Sequence, residues 1–189
     1  MRIAVFGGSF DPVHAGHLAV ADAVQDHLHP DLLLWVPAGL APHKMENPPT
    51  PAAQRIELLE QAIQGRESEA ICRLEIERKG PSFMVDTLEA LQSQYEKPTL
   101  FLIMGGDSQS HFPTWRRFQR ILELAEPIFF PREGWERMQA NMPGRMLPMA
   151  RVDLDSTELR EQLSQGEAKS EAFPKGVLER IRKRSLYQS

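Results

Sequence analysis

Two kinds of apolar spacing alternate along this chain: short unbroken apolar runs, and stretches in which apolar residues recur every three or four positions. Residues 2–6 carry Ile3, Ala4, Val5 and Phe6 in succession and predict a strand. Residues 17–27 then place Leu18, Ala21 and Val24 on one helical face, with Leu28 continuing it. The run 32–36, Leu-Leu-Leu-Trp-Val, is continuous, as a strand covered on both faces requires. A loop over 37–50 contains Pro37, Pro42, Pro48 and Pro49, and Pro51 suits the first turn of a helix. Ile56, Leu59 and Ile63 form the buried stripe of that helix, which stops at Gly65.

The scheme then repeats. Residues 70–77 alternate as a strand, 82–94 are helical through Val85, Leu88 and Leu91, and 99–104 read as a buried strand. Gly105, Gly106 and Asp107 end it, a helix is expected over 115–123, and a short strand over 127–130. From 131 to 148 no period emerges, since Met, Gly and Pro dominate. A last strand over 151–154, a short helix over 156–163 and a terminal helix over 174–184 complete the pattern. Strands alternating with helices predict a mostly parallel α/β sheet with right-handed crossovers. Ligands of such sheets collect at the carboxyl ends of strands, near a topological switch point. The loops at 7–18, 37–44 and 105–107 would share that edge.

Composition narrows the classes. At 189 residues, one domain over 1–189 is expected, with the late segment and terminal helices of 152–189 packed on it as a small C-terminal helical part. A net charge of -4 argues against sequence-independent nucleic-acid binding, which needs a basic face. No apolar stretch approaches about 20 residues and the chain opens directly on a strand, so neither a membrane span nor a signal peptide is expected. The single cysteine, Cys72, excludes an intramolecular disulfide framework and reads as a small core residue. These features fit a reducing cytoplasm and leave homo-oligomerisation open.

The chemistry begins at Gly7-Gly8-Ser9-Phe10-Asp11-Pro12-Val13-His14-Ala15-Gly16-His17-Leu18. Two glycines end a strand where a backbone must turn or approach a ligand closely. The helix that follows offers unpaired N–H groups and partial positive charge to phosphate, and two imidazoles three residues apart add donors. This is neither the P-loop, which needs a lysine after the glycines, nor the dinucleotide fingerprint, which needs spaced glycines. It is not a zinc helix, for no glutamate stands between the histidines and no third ligand is obvious. An isolated pair of this kind is more often solvent-facing than functional. Asp11 could equally brace the loop or touch a ligand.

The whole string resembles the mark of the (T/H)-x-G-H nucleotidyltransferase superfamily, G-G-x-F-D-P-x-H-x-G-H, and within it the nicotinate-nucleotide adenylyltransferases. Further segments carry the resemblance: Val36-Pro37-Ala38 with Pro42-His43-Lys44, Pro81 to Leu88, Gly105 to Ser108, Phe112-Pro113-Thr114-Trp115, and Asp155-Ser156-Thr157-Glu158-Leu159-Arg160. The resemblance implies a Rossmann-like, doubly wound fold and transfer of the adenylyl group of ATP to nicotinate mononucleotide, giving the dinucleotide and pyrophosphate in NAD biosynthesis. It implies catalytic roles for His14, His17 and Arg160. ATP would be bound by Gly7, Gly8, Ser9, Phe10, Gly105, Asp107, Ser156 and Thr157. The mononucleotide would be bound by Lys44, Met84, Val85, Trp115 and Arg116, with Trp115 stacked on the pyridine ring. Mg²⁺ would be carried mainly by substrate phosphates, with no metal ligand in the protein.

Each of these residues also has a structural reading: Lys44 as a solvated lysine, Asp107 as a helix cap, Trp115 as core. The chain departs from the family pattern at two places. Asp155 stands where a serine is usual, and can cap the helix while adding negative charge near the phosphates. Met84 stands where threonine is common, so the pyridine substituent would be read by backbone N–H groups at 84–85 and 115–116. Three alternatives remain open at this point: the same reaction on nicotinamide mononucleotide, a phosphopantetheine adenylyltransferase, which Phe112 to Trp115 disfavours, and a non-catalytic nucleotide-binding module.

Overall fold

The computed structural model describes residues 1–39 and 49–188. The first strand, β1 (Arg2–Gly8), lies at the centre of a six-stranded sheet. Helix α1 (Ala15–Leu28), β2 (Leu32–Pro37), α2 (Ala52–Ala62), β3 (Glu69–Ile71), α3 (Leu74–Glu77) and α4 (Met84–Gln94) follow. The second half adds β4 (Thr99–Gly105), α5 (Phe118–Leu124), β5 (Ala125–Phe130), β6 (Arg145–Met146), α6 (Ser156–Gln165) and α7 (Val177–Lys183). The strand order is β3-β2-β1-β4-β5-β6, with every neighbouring pair parallel. Among the described residues, no helix is long and apolar enough to cross a membrane.

Alternation along β1 explains the two layers. Ala4 and Phe6 face Val20 and Val24 of α1, Leu59 of α2, Leu159 of α6 and Ile181 of α7. Ile3 and Val5 face the opposite layer, with Val85 and Leu88 of α4 and Ile121 of α5. A strand covered on both faces has to be apolar throughout, hence the unbroken runs. The strand order reverses between β1 and β4, so the switch point lies just beyond Gly8 and Gly105.

Four expectations about elements need correction. The strand expected over 70–77 ends at Ile71; after Cys72 N–H bonds the Trp35 carbonyl at 2.8 Å, the chain coils into α3. That turn carries Glu75 inward to accept the Thr87 hydroxyl at 3.1 Å, whereas strand alternation would have grouped it with the polar face. The helix expected from residue 115 begins at Phe118, because Arg117 adopts a left-handed backbone (φ 54), and 3-10 turns at Gly106–Ser110 and Phe112–Thr114 precede it. Residues 151–154 form no strand. The edge position beside β5 belongs to Arg145–Met146, in the segment without period; a two-residue pairing carries no periodic signal.

The two loop glycines do not make the turn. Gly7 and Gly8 remain in β1, and the left-handed residue is Phe10 (φ 48), followed by a cis Asp11–Pro12 bond. What they provide is room: a Cβ on Gly7 would lie 2.9 Å from the Met84 methyl, and one on Gly8 would lie 2.9 Å from the Phe10 ring.

Candidate active site

Phe10 drives its ring into the core, 1% exposed, against Phe6, Trp35 and His17. The expected ATP contact at Phe10 is therefore confined to its backbone. The chain then reaches His14, whose extended backbone makes it the N-cap of α1. The His14 N–H donates to His17 Nδ1 at 3.2 Å, and the two imidazoles stack with centroids 3.7 Å apart. Because Nδ1 of His17 accepts, the neutral ring carries its proton on Nε2. His14 is 4% exposed, and its Nδ1 is buried with no hydrogen-bond partner among the described residues.

Burial, then the Arg132 charge, pushes the His14 imidazole down to about 4, against an opposing pull from Asp155. Burial first, then His14 and Arg132, holds His17 well below its ordinary 6.5. Both rings are thus neutral donors at pH 7. An unfolded histidine takes up its proton near pH 6.5, before folded His14 does near 4, so stability falls as pH drops through that window. The His14 share amounts to about 3 kcal/mol once the pH is below both values. Urea unfolding of the ligand-free protein between pH 7 and 4.5 should show this slope, and His14→Asn should flatten it. An unchanged slope in the variant would show that His14 is not held neutral.

The start of α6 meets this loop. Asp155 caps it, its carboxylate accepting from Thr157 N–H at 2.7 Å and Glu158 N–H at 3.3 Å. Burial works the other way, but these N–H groups outweigh it and keep the Asp155 carboxyl below its ordinary range, with help from Arg132. Ser156 Oγ donates to the Pro12 carbonyl at 3.2 Å. Arg160 Nη1 donates to the Asp11 carbonyl at 2.6 Å, and its Nη2 to Thr157 Oγ1 at 3.3 Å. Two helix N-termini are thereby joined side by side with donors from both facing one edge.

Arg132 completes this half of the site and was missed in the sequence. It follows β5, donates to the Leu154 carbonyl at 3.3 Å and stands 3.6 Å from the Asp155 carboxylate. This cation offsets the negative charge introduced by Asp155. The available signal was a basic residue directly after an apolar run that ends in Phe130-Pro131, hence at the carboxyl edge of a parallel strand.

On the opposite face of the sheet lies a cavity of about 490 Å³, reached across Gly7 and Gly8 and lined by Phe83, Met84, Trp115 and Arg116. Met84 opens α4, so the N–H groups of Met84 and Val85 have no acceptor within the helix. The Val85 side chain is buried in the core, so its expected substrate contact falls to that N–H. Trp115 meets Phe112 edge-on at 5.2 Å, leaving its other side toward the cavity. The Arg116 guanidinium sits 4.5 Å over the Phe83 ring. Arg117 and Arg120 both pair with Glu89, whereas Arg116 makes no ion pair among the described residues. Gly105 also lines the cavity; Asp107 is exposed at the start of the 3-10 turn that follows. Lys44 lies outside the described residues. Among the described residues, no group of three or more His, Cys, Asp or Glu side chains is arranged to hold a metal.

A parallel sheet with paired helix starts and neutral imidazoles at its switch point defines a nucleotidyltransferase architecture, and residues 5–162 match the cytidylyltransferase-like family. A probable nicotinate-nucleotide adenylyltransferase of Thermus thermophilus is 37% identical, with 100% of both chains covered. One from Thermomicrobium roseum is 34% identical, covering 100% of this chain and 92% of the other. The chain belongs to the nicotinate-nucleotide adenylyltransferase family. The fold also matches the Plasmodium falciparum nicotinic acid mononucleotide adenylyltransferase solved with NaAD, at a TM-score of 0.80 and 15% identity over 98% of this chain and 97% of that one.

Proposed function

We propose that this chain, a single cytoplasmic domain, transfers the adenylyl group of ATP to nicotinate mononucleotide, releasing pyrophosphate and forming nicotinate adenine dinucleotide. One observation carries the reading: Arg160 and Ser156 tie the start of α6 to the loop before α1, beside two neutral histidines and across Gly7–Gly8 from an aromatic cavity. The triphosphate lies along the two helix starts, where His14, His17, Arg160 and the Ser156 N–H at the first turn of α6 donate to its oxygens. The Ser156 hydroxyl and the Thr157 N–H are taken by the Pro12 carbonyl and Asp155. The adenosine lies over Gly105 and Asp107. The pyridine ring enters the cavity against Trp115, its carboxylate received by N–H groups at Met84–Val85 and Arg116; the Trp115 N–H, expected to share in this, is taken by the Phe112 carbonyl at 3.0 Å. The Arg116 cation, which has no ion-pair partner among the described residues, favours the acid over the amide.

The mononucleotide phosphate oxygen then attacks the α-phosphorus in line. One P–O bond forms as the bond from the α-phosphorus to the bridging oxygen breaks, and charge passes to the departing pyrophosphate. Positioning and electrostatic stabilisation supply the catalysis, with no covalent step on the protein. Mg²⁺ fits as a hard ion held by phosphate oxygens and water, which neutralises phosphate charge, since the donor set here is imidazole, guanidinium and N–H.

Steady-state assays of wild type and Trp115→Ala with ATP, Mg²⁺ and nicotinate mononucleotide test this reading. Wild type should give dinucleotide and pyrophosphate in equal amounts. Loss of the stacking face should raise KM for the mononucleotide about 10-fold or more and spare KM for ATP. Tight ATP binding without turnover of any mononucleotide would instead favour a nucleotide-binding module.

A further inference from the structure

The phosphate-facing loop is held from beneath by the buried Arg55 and the half-buried Tyr187, both outside the family motif. After α7, left-handed backbone at Ser185 (φ 50) and Tyr187 (φ 60) turns the chain back, burying Leu186 and bringing the Tyr187 hydroxyl to Asp11. That hydroxyl donates to Asp11 Oδ1 at 2.8 Å, while Asp11 Oδ2 accepts the Thr50 N–H at 3.0 Å. Asp11, 6% exposed, is therefore a brace, and its carbonyl is the acceptor for Arg160. Arg55, 2% exposed, donates to Thr50 O at 2.8 Å, Ser9 O at 2.7 Å and Ala38 O at 2.9 Å. One guanidinium thus joins the loop after β1, the end of β2 and the approach to α2. The tail is secured in turn, with Arg180 and Arg184 of the α7 end both bonding Glu57 of α2.

A buried cation donating to three carbonyls is a costly way to stabilise a fold unless those carbonyls must be held in place. We propose that Tyr187 and Arg55 are positioning residues for the ATP site: they fix the backbone of residues 9–12 and, through the Asp11 carbonyl, aim Arg160 at the triphosphate. Neither side chain touches the reacting atoms. The chain's last helix and tail thereby set the geometry of its first loop.

This inference rests on the ATP half of the proposed function and is independent of the acceptor. Calorimetric ATP binding and steady-state kinetics should be measured for wild type, Tyr187→Phe and Arg55→Lys. Tyr187→Phe removes one oxygen, and should weaken ATP binding and lower kcat each about 10-fold, the scale of one lost hydrogen bond to a charged group. KM for the mononucleotide should stay within about twofold, because the cavity lies on the other face of the sheet. Arg55→Lys keeps the charge but not the fork, and should lower ATP affinity and kcat likewise, without sparing the mononucleotide, because its partners Ser9 and Ala38 also line the cavity. A lowered melting temperature with unchanged ATP affinity and kcat would reduce both residues to a structural role and overturn the inference. Absence of ATP binding by wild type would refute the functional reading itself.

Discussion

Replacing His17 by alanine is expected to lower kcat by about 10²-fold or more while the protein remains folded, the cost of removing one preorganised donor from a developing negative charge. The geometry gives the reason. His17 Nδ1 is occupied by the His14 N–H, which leaves Nε2–H as the only donor the ring can offer. Burial and the neighbouring imidazole keep the ring neutral, so it changes neither charge nor tautomer before the phosphate arrives. The fold should survive, because α1 keeps Val20, Val24 and Leu28 in the core. His17→Gln should recover part of the rate if donation is the role. Near-normal kcat in His17→Ala, with circular dichroism unchanged, would remove the ring from the phosphate site.

Much of this site was legible in the chain because its parts obey local rules. An unbroken apolar run ending in Gly7 and Gly8, and a capping residue before Ser156, are visible without tertiary structure. The Arg160 bond to the Asp11 carbonyl, which joins the two helix starts, spans 149 residues and appears only once the chain is folded. What could not be read depends on contacts distant in sequence. Arg55 lies in an amphipathic helix and looks like any surface arginine until its three carbonyl partners are assembled. Arg132 sits in a segment with no period, and its meaning comes from Asp155 and the histidines. Asp155 caps α6 as its position suggested, and the cation beside it, Arg132, is the part that only the fold brings there. The glycines suggested a turn, but strand pairing up to Gly8 outweighs their intrinsic freedom and the left-handed residue is Phe10.

The choice of acceptor should carry an effect as large as loss of the His17 ring. A carboxylate on the pyridine ring can take N–H groups at the start of α4 and beside Trp115, with the Arg116 cation at the cavity mouth. A carboxamide brings no charge to that cation and replaces one acceptor oxygen with a donor nitrogen facing N–H groups. Charge-assisted bonds lost in this way, together with donors left unmatched, are worth a few kcal/mol. The buried Glu75 carboxyl also lines the cavity, and burial raises its pKa despite the Thr87 hydroxyl bonded to it, which lessens its repulsion toward an acid.

The decisive measurement is kcat/KM for nicotinate mononucleotide and nicotinamide mononucleotide side by side, with saturating ATP and Mg²⁺ at pH 7.5. Nicotinate mononucleotide should be preferred by at least about 100-fold. Equal values for the two substrates, or a preference for the amide, would contradict this reading of the site.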